Sequence, residues 1–106
     1  MSGSKLGMLR DMVAKLPSDS RARFFLAHEL FKAEDWAGAA EHYRVYVDLA
    51  PGDVGAGLKN LGLCLERLGR AAEAADAYRR GIEAALSHQH EGLASEIRFL
   101  LECLED

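Results

Sequence analysis

The chain is predicted to be all-α: about six helices stacked in series as antiparallel hairpins, forming an α-α superhelix. Three observations carry that expectation. Ala, Leu, Glu and Arg dominate while threonine is absent, so strong helix formers prevail over the β-branched strand formers. The sequence echoes itself at a shift of 35 residues: Leu26 falls on Leu61, Leu30 on Leu65, Ala39 on Ala74, Ala40 on Ala75 and Tyr43 on Tyr78. The two prolines, Pro17 and Pro51, each close a helix-like stretch.

Each element follows from its start and stop signals. The first helix is expected from about Lys5 to Lys15, ending at Pro17. Ser18 or Asp19 caps the second, where Phe24, Phe25, Leu26, Leu30 and Phe31 recur at three- and four-residue steps. The third, Trp36 to Leu49, starts behind Asp35 and stops before Pro51. Asp53 caps the fourth, which aligns Leu58, Leu61, Leu65 and Leu68 before Gly69 permits a left-handed turn. The fifth spans Ala71 to Leu86, and Ser87 to His90 is a polar break. The sixth, Glu91 to Leu104, sets Leu93, Ile97, Leu100 and Leu104 on one face. Short loops make neighbouring helices antiparallel hairpins.

A second echo, at a shift of 34, sets Leu9 on Tyr43, Val13 on Val47 and Pro17 on Pro51. The first helix therefore reads as the closing half of a repeat. The organisation is then a flexible start at 1–4 and one domain at 5–106. That domain holds a half-repeat at 5–17, repeats at 20–53 and 55–88, and a capping helix at 91–104.

A formal net charge of −4, with Lys and Arg interspersed among Asp and Glu, argues against a nucleic-acid partner, which needs clustered basic surface. No apolar run approaches the ~20 residues of a membrane span, and no secretory leader is visible. Two cysteines, Cys64 and Cys103, are too few and too far apart for a zinc motif or disulfide framework, so a reducing, cytoplasmic setting is the expectation.

The residues at these positions resemble the tetratricopeptide repeat, a helix–turn–helix unit of ~34 residues. In the first repeat Leu26-Ala27 stand at its Leu-Gly pair, Leu30 and Phe31 take the next apolar places, and Ala39, Tyr43 and Pro51 follow. The second carries Leu61-Gly62, Leu65, Gly69, Ala74 and Tyr78. Arg23 and Leu58 replace the family's early aromatic, Tyr46 stands where a small residue is usual, and Leu86 falls near the closing proline. The resemblance implies close helix crossings at Gly62, Ala27, Ala39 and Ala74, with Tyr43 and Tyr78 filling the space between repeats.

The resemblance also implies a binding surface, because the first helix of each pair lines the concave side in such proteins. Carried over, that surface takes Arg21, Phe24, His28, Phe31 and Lys32 from the second helix. The fourth helix adds Ala56, Lys59, Leu63, Glu66 and Arg67. The expected partner is a protein or peptide, with Arg21, Lys32 and Lys59 suited to an acidic segment. An alternative is a self-assembling module, a homodimer or larger, built on Trp36, the sixth helix or an open end of the stack.

Signals for chemistry are weak. His88 and His90 are two loop histidines without a third ligand, so no metal or other cofactor is expected. Cys64, between Leu63 and Leu65, reads as a small buried hydrophobe, and a Cys64–Cys103 bond remains open. Neither a nucleophile–base pattern nor a phosphate-binding glycine loop appears, so no catalysis is expected.

Overall fold

The computed structural model describes residues 2–106, with side chains from Lys5 onward. The flexible start expected at 1–4 falls on residues whose side chains lie outside that description. Six helices follow one another: α1 (Ser2–Lys15), α2 (Ser20–Lys32), α3 (Trp36–Leu49), α4 (Ala56–Arg67), α5 (Ala71–Ser87) and α6 (Glu91–Glu105). No strand occurs among the described residues. Each helix packs on its chain neighbours, and α4 also touches α6. This is the serial hairpin stack that the repeat period predicts.

Local signals explain the helix ends. Asp19 Oδ1 accepts from the backbone amides of Arg21 at 3.0 Å and Ala22 at 3.2 Å. Asp35 Oδ1 accepts from Gly38 N at 3.0 Å. At α4 the backbone cap is Gly55, not Asp53, yet Asp53 still supplies the side chain. Its Oδ1 accepts from the amides of Gly55 at 2.7 Å and Gly57 at 3.2 Å, and its Oδ2 from the Tyr46 hydroxyl at 2.7 Å. Left-handed residues close three helices: Gly69 (φ 76°), Glu34 (φ 62°), which stands 35 residues before it, and Gln89 (φ 58°).

The core consists of small residues at the crossings and large rings between them. Ala27, Ala39 and Ala74 are fully buried, as are Tyr43 and Tyr78. One cluster joins α1 through α5 around Leu26, Leu30, Tyr43, Leu61 and Leu65. A second joins α5 and α6 around Tyr78, Ala85, Leu93 and Ile97. Gly62 lies flat against Tyr78: a Cβ built there would come within 2.4 Å of the ring. Both buried phenols have partners, since Asn60 Nδ2 donates to the Tyr43 hydroxyl at 3.3 Å and the Tyr78 hydroxyl donates to Glu66 at 2.9 Å. Burial pushes the Tyr43 phenol up to about 12 and the Cys64 thiol up to about 11, so both stay neutral. Both cysteines are free, Cys64 buried and Cys103 exposed.

Arg23, the residue at the family's aromatic position, ties three segments together. It donates to the Pro17 carbonyl at 2.9 Å and, from Nη1, to His42 Nδ1 at 3.2 Å. An accepting Nδ1 requires a neutral imidazole, and His42 is held below its ordinary value of 6.5, first by burial and then by the Arg23 charge. The unfolded chain therefore binds a proton near pH 6.5 that the native protein refuses. Stability is expected to fall as pH drops below 6.5, levelling once the lower native value is passed. The check is the urea midpoint at about pH 7.5 and about pH 5.5 for the native protein and for His42→Gln; the variant should show the smaller difference.

Candidate partner-binding surface

The first helices of successive pairs, α2 and α4, pack on α3 between them, and α4 touches α6. Side chains of α3 thus fill the seam where α2 and α4 would otherwise part.

On α2, Phe24, His28 and Phe31 fall at steps of four and three and share one face. Their rings form a parallel ladder: Phe24–His28 centroids are 6.2 Å apart and His28–Phe31 6.5 Å, with planes inclined by 7° in both pairs. Phe24 and Phe31 are half-buried and His28 is exposed. The seam holds the ladder in place. Phe24 meets Tyr46 edge-on at 5.0 Å and Tyr43 at 5.7 Å, while Phe31 meets Trp36 at 5.1 Å and Tyr43 at 6.4 Å. Each phenylalanine therefore has one side in the core and one side available.

The α4 residues continue the surface. The Arg67 guanidinium lies 5.2 Å over the Trp36 ring, a cation–π contact that leaves the charge exposed. Leu63 is partly buried against the second core cluster. Glu66 accepts the Tyr78 hydroxyl proton bond described above.

Several expected cations are already engaged. Lys59 Nζ pairs with Glu96 of α6 at 2.7 Å. Lys32 pairs with Glu29 at 2.8 Å, and Lys5 of α1 reaches the same carboxylate at 3.0 Å. These two lysines hold the Glu29 carboxyl below the usual range. Arg21 and Arg67 form no ion pair among the described residues. The structure thus sets Phe24, His28 and Phe31 on one face of α2, with the Arg67 cation over Trp36 at its edge, and leaves Leu63 with the second core cluster. It sets Lys32 toward α1 and Lys59 toward α6.

Two clefts open between the helices. One of about 340 Å³ lies between α1 and α2, lined by Lys5, Leu9, Phe25, His28, Glu29 and Lys32. Leu9 takes the place that Tyr43 holds 34 residues later, and the smaller side chain leaves the gap. The other, about 510 Å³, separates α3 from α5 over Leu61 and Leu65, with Arg44, Asp48, Asp76 and Arg80 on its walls.

Sequence reasoning passed over three contributors. Trp36, named for the self-assembly alternative, is also half-buried between Phe31 and Arg67 and so supports the ladder. Asn60 anchors α4 to Tyr43, and Glu96 brings α6 to the border. The loop histidines serve helix ends: His90 Nδ1 accepts from Leu93 N at 3.3 Å, and His88 Nδ1 donates to the Ala84 carbonyl at 2.9 Å. No group of three or more His, Cys, Asp or Glu side chains is placed to hold a metal ion among the described residues. No described helix is long and apolar enough to cross a membrane.

Stacked two-helix units with small residues at the crossings and a tyrosine between units define an α-helical repeat protein. The chain belongs to the tetratricopeptide repeat family, whose model matches residues 6–54 and 55–88. Among solved structures it is similar to protein BPP2914 from Bordetella parapertussis, determined in solution. The two share 27% identity with a TM-score of 0.79, over 94% of this chain and 86% of that one. No curated protein matches the chain.

Proposed function

We propose that this protein is a non-catalytic interaction scaffold that seats a peptide or partner segment across α2 and α4. The supporting observation is the Phe24–His28–Phe31 ladder, whose two phenylalanines are half-buried on Tyr43, Tyr46 and Trp36, with Arg67 at its border. Rigid aromatic rings that lose little freedom on binding are the side chains that anchor interfaces. A partner suited to them carries one or two apolar side chains for the Phe24–Phe31 face and an acidic group for Arg67. Arg21 offers a second free cation. Lys59 joins only when Glu96 lets go, so an acidic partner competes with an internal pair. Membership of a family whose members generally mediate protein interactions favours the same reading.

The test uses exposed residues so that folding is preserved. His28→Glu/Arg67→Glu should keep its melting temperature but lose partners captured from the native host, with affinity falling about tenfold or more. Equal recovery of every partner by a folded double variant would remove α2 and α4 as the binding surface.

A further inference from the structure

We propose that α6 of one molecule docks on α1 of the next, so that copies of this chain join head to tail. The inference is independent of the peptide-binding surface, since it uses the two ends of the stack.

The first end is α1. Leu9 and Val13 are buried, while Met8 (58%), Met12 (38%) and Leu16 (55%) stand exposed in one stripe at four-residue steps. Under the 34-residue echo, Met8 and Met12 take the places of His42 and Tyr46 in α3. Those two α3 residues meet the other helix of their hairpin: His42 accepts from Arg23 at 3.2 Å, and Tyr46 lies 5.0 Å from Phe24. The Met8–Met12 side of α1 is therefore the side on which a hairpin partner packs. Among the described residues, α2 is the helix that packs on α1, and the methionine stripe stays open.

The other end is α6. Leu93, Ala94 and Ile97 are buried in its cluster with α5, and Phe99, on the far side of the helix, is 64% exposed. A phenylalanine ring fits between two methionines one turn apart, since thioethers adapt their shape and favour aromatic edges.

Charge selects the pairing. Beyond the groups paired inside the molecule (Lys5 with Glu29, Glu96 with Lys59, Glu105 with Arg79), α1 carries Arg10 and Lys15 against one acid, Asp11, whereas α6 carries Glu91 and Glu102 against one base, Arg98. Two copies of α1, or two of α6, would set like charges together, while α1 against α6 sets opposite ones. Lys15, three residues past Met12, and Glu102, three past Phe99, form no ion pair among the described residues. Such a contact joins different faces, so each added copy leaves one open end of each kind. One helix-on-helix face is at or below about 1,200 Å², the range of weak assemblies.

Sedimentation velocity on the intact protein, from low to high micromolar concentration at low and high salt, tests this. The native chain should grow through dimer to larger species with concentration, and salt should weaken the growth. Met8→Ser/Met12→Ser and Phe99→Ser, both at exposed sites, should each weaken it about tenfold or more. Their equimolar mixture should form a dimer and stop there, because one intact head meets one intact tail. A charge pair gives a second route: Lys15→Glu or Glu102→Lys alone should weaken association, and the two in one chain should restore it. A native chain that stays monomeric throughout overturns the proposal. So does association that survives either serine variant, a mixture that stays monomeric while the native chain assembles, or a charge reversal with no effect.

Discussion

Tyr43→Ala is expected to lower folding stability by about 3–5 kcal/mol, the range for removing a large buried ring. The side chain is fully buried, and three helices meet on it. Phe24 and Phe31 of α2 approach it edge-on at 5.7 and 6.4 Å, and Asn60 of α4 donates to its hydroxyl at 3.3 Å. Small domains have roughly 5–15 kcal/mol in total, so the loss takes a large share. Tyr43→Phe separates the two contributions: it keeps the ring and removes one hydrogen bond, with an expected loss of about 1 kcal/mol. Denaturant titration followed by circular dichroism reads both. An alanine variant as stable as the phenylalanine one would show that the ring is not what joins the repeats.

The second large effect comes from adding a single methyl group. Gly62→Ala places a Cβ within 2.4 Å of the Tyr78 ring. That ring is fully buried and its hydroxyl is bound to Glu66, so it has little room to retreat. Overpacking of this kind costs about 1–3 kcal/mol. It offsets the gain of roughly 1 kcal/mol that alanine brings to a helix interior. Gly7→Ala is the matched control: it lies within α1 with nothing inside 4 Å of its added Cβ. The same chemical change there should stabilise by about 0.4–1 kcal/mol. Melting temperatures should therefore move in opposite directions, and a shared direction would contradict the close crossing at Gly62.

The fold was legible because packing solutions leave periodic traces. Ala39, Ala74, Tyr43 and Tyr78 recur at a fixed step because each pair solves the same crossing, and all four are buried. Prolines and capping acids placed most boundaries; the expected span Trp36 to Leu49 matches α3. The boundary at Asp53 read less well, because this carboxylate caps from two residues before Gly55 while also binding Tyr46. His90 as a helix cap left no sequence signal, since a ring nitrogen replaces the usual Ser or Asp.

The candidate surface was legible only in part. Helical spacing gives the shared face of Phe24, His28 and Phe31, but not that Trp36 and Tyr43 hold them from a neighbouring helix. Lys32 and Lys59 look like free cations in one dimension. Their partners include residues as distant as Glu96, and only the folded chain reveals that. Charge neutralisation across helices is a property of three-dimensional neighbours, whereas periodicity reports one helix at a time.

Because every helix packs mainly on those next to it in the chain, most contacts between helices join elements linked by a single short turn. Such a topology has low contact order, and the entropy lost in closing each loop is small. The chain should therefore reach its native state within microseconds to milliseconds, in keeping with helical proteins of local topology. It has no slow long-range pairing to wait for.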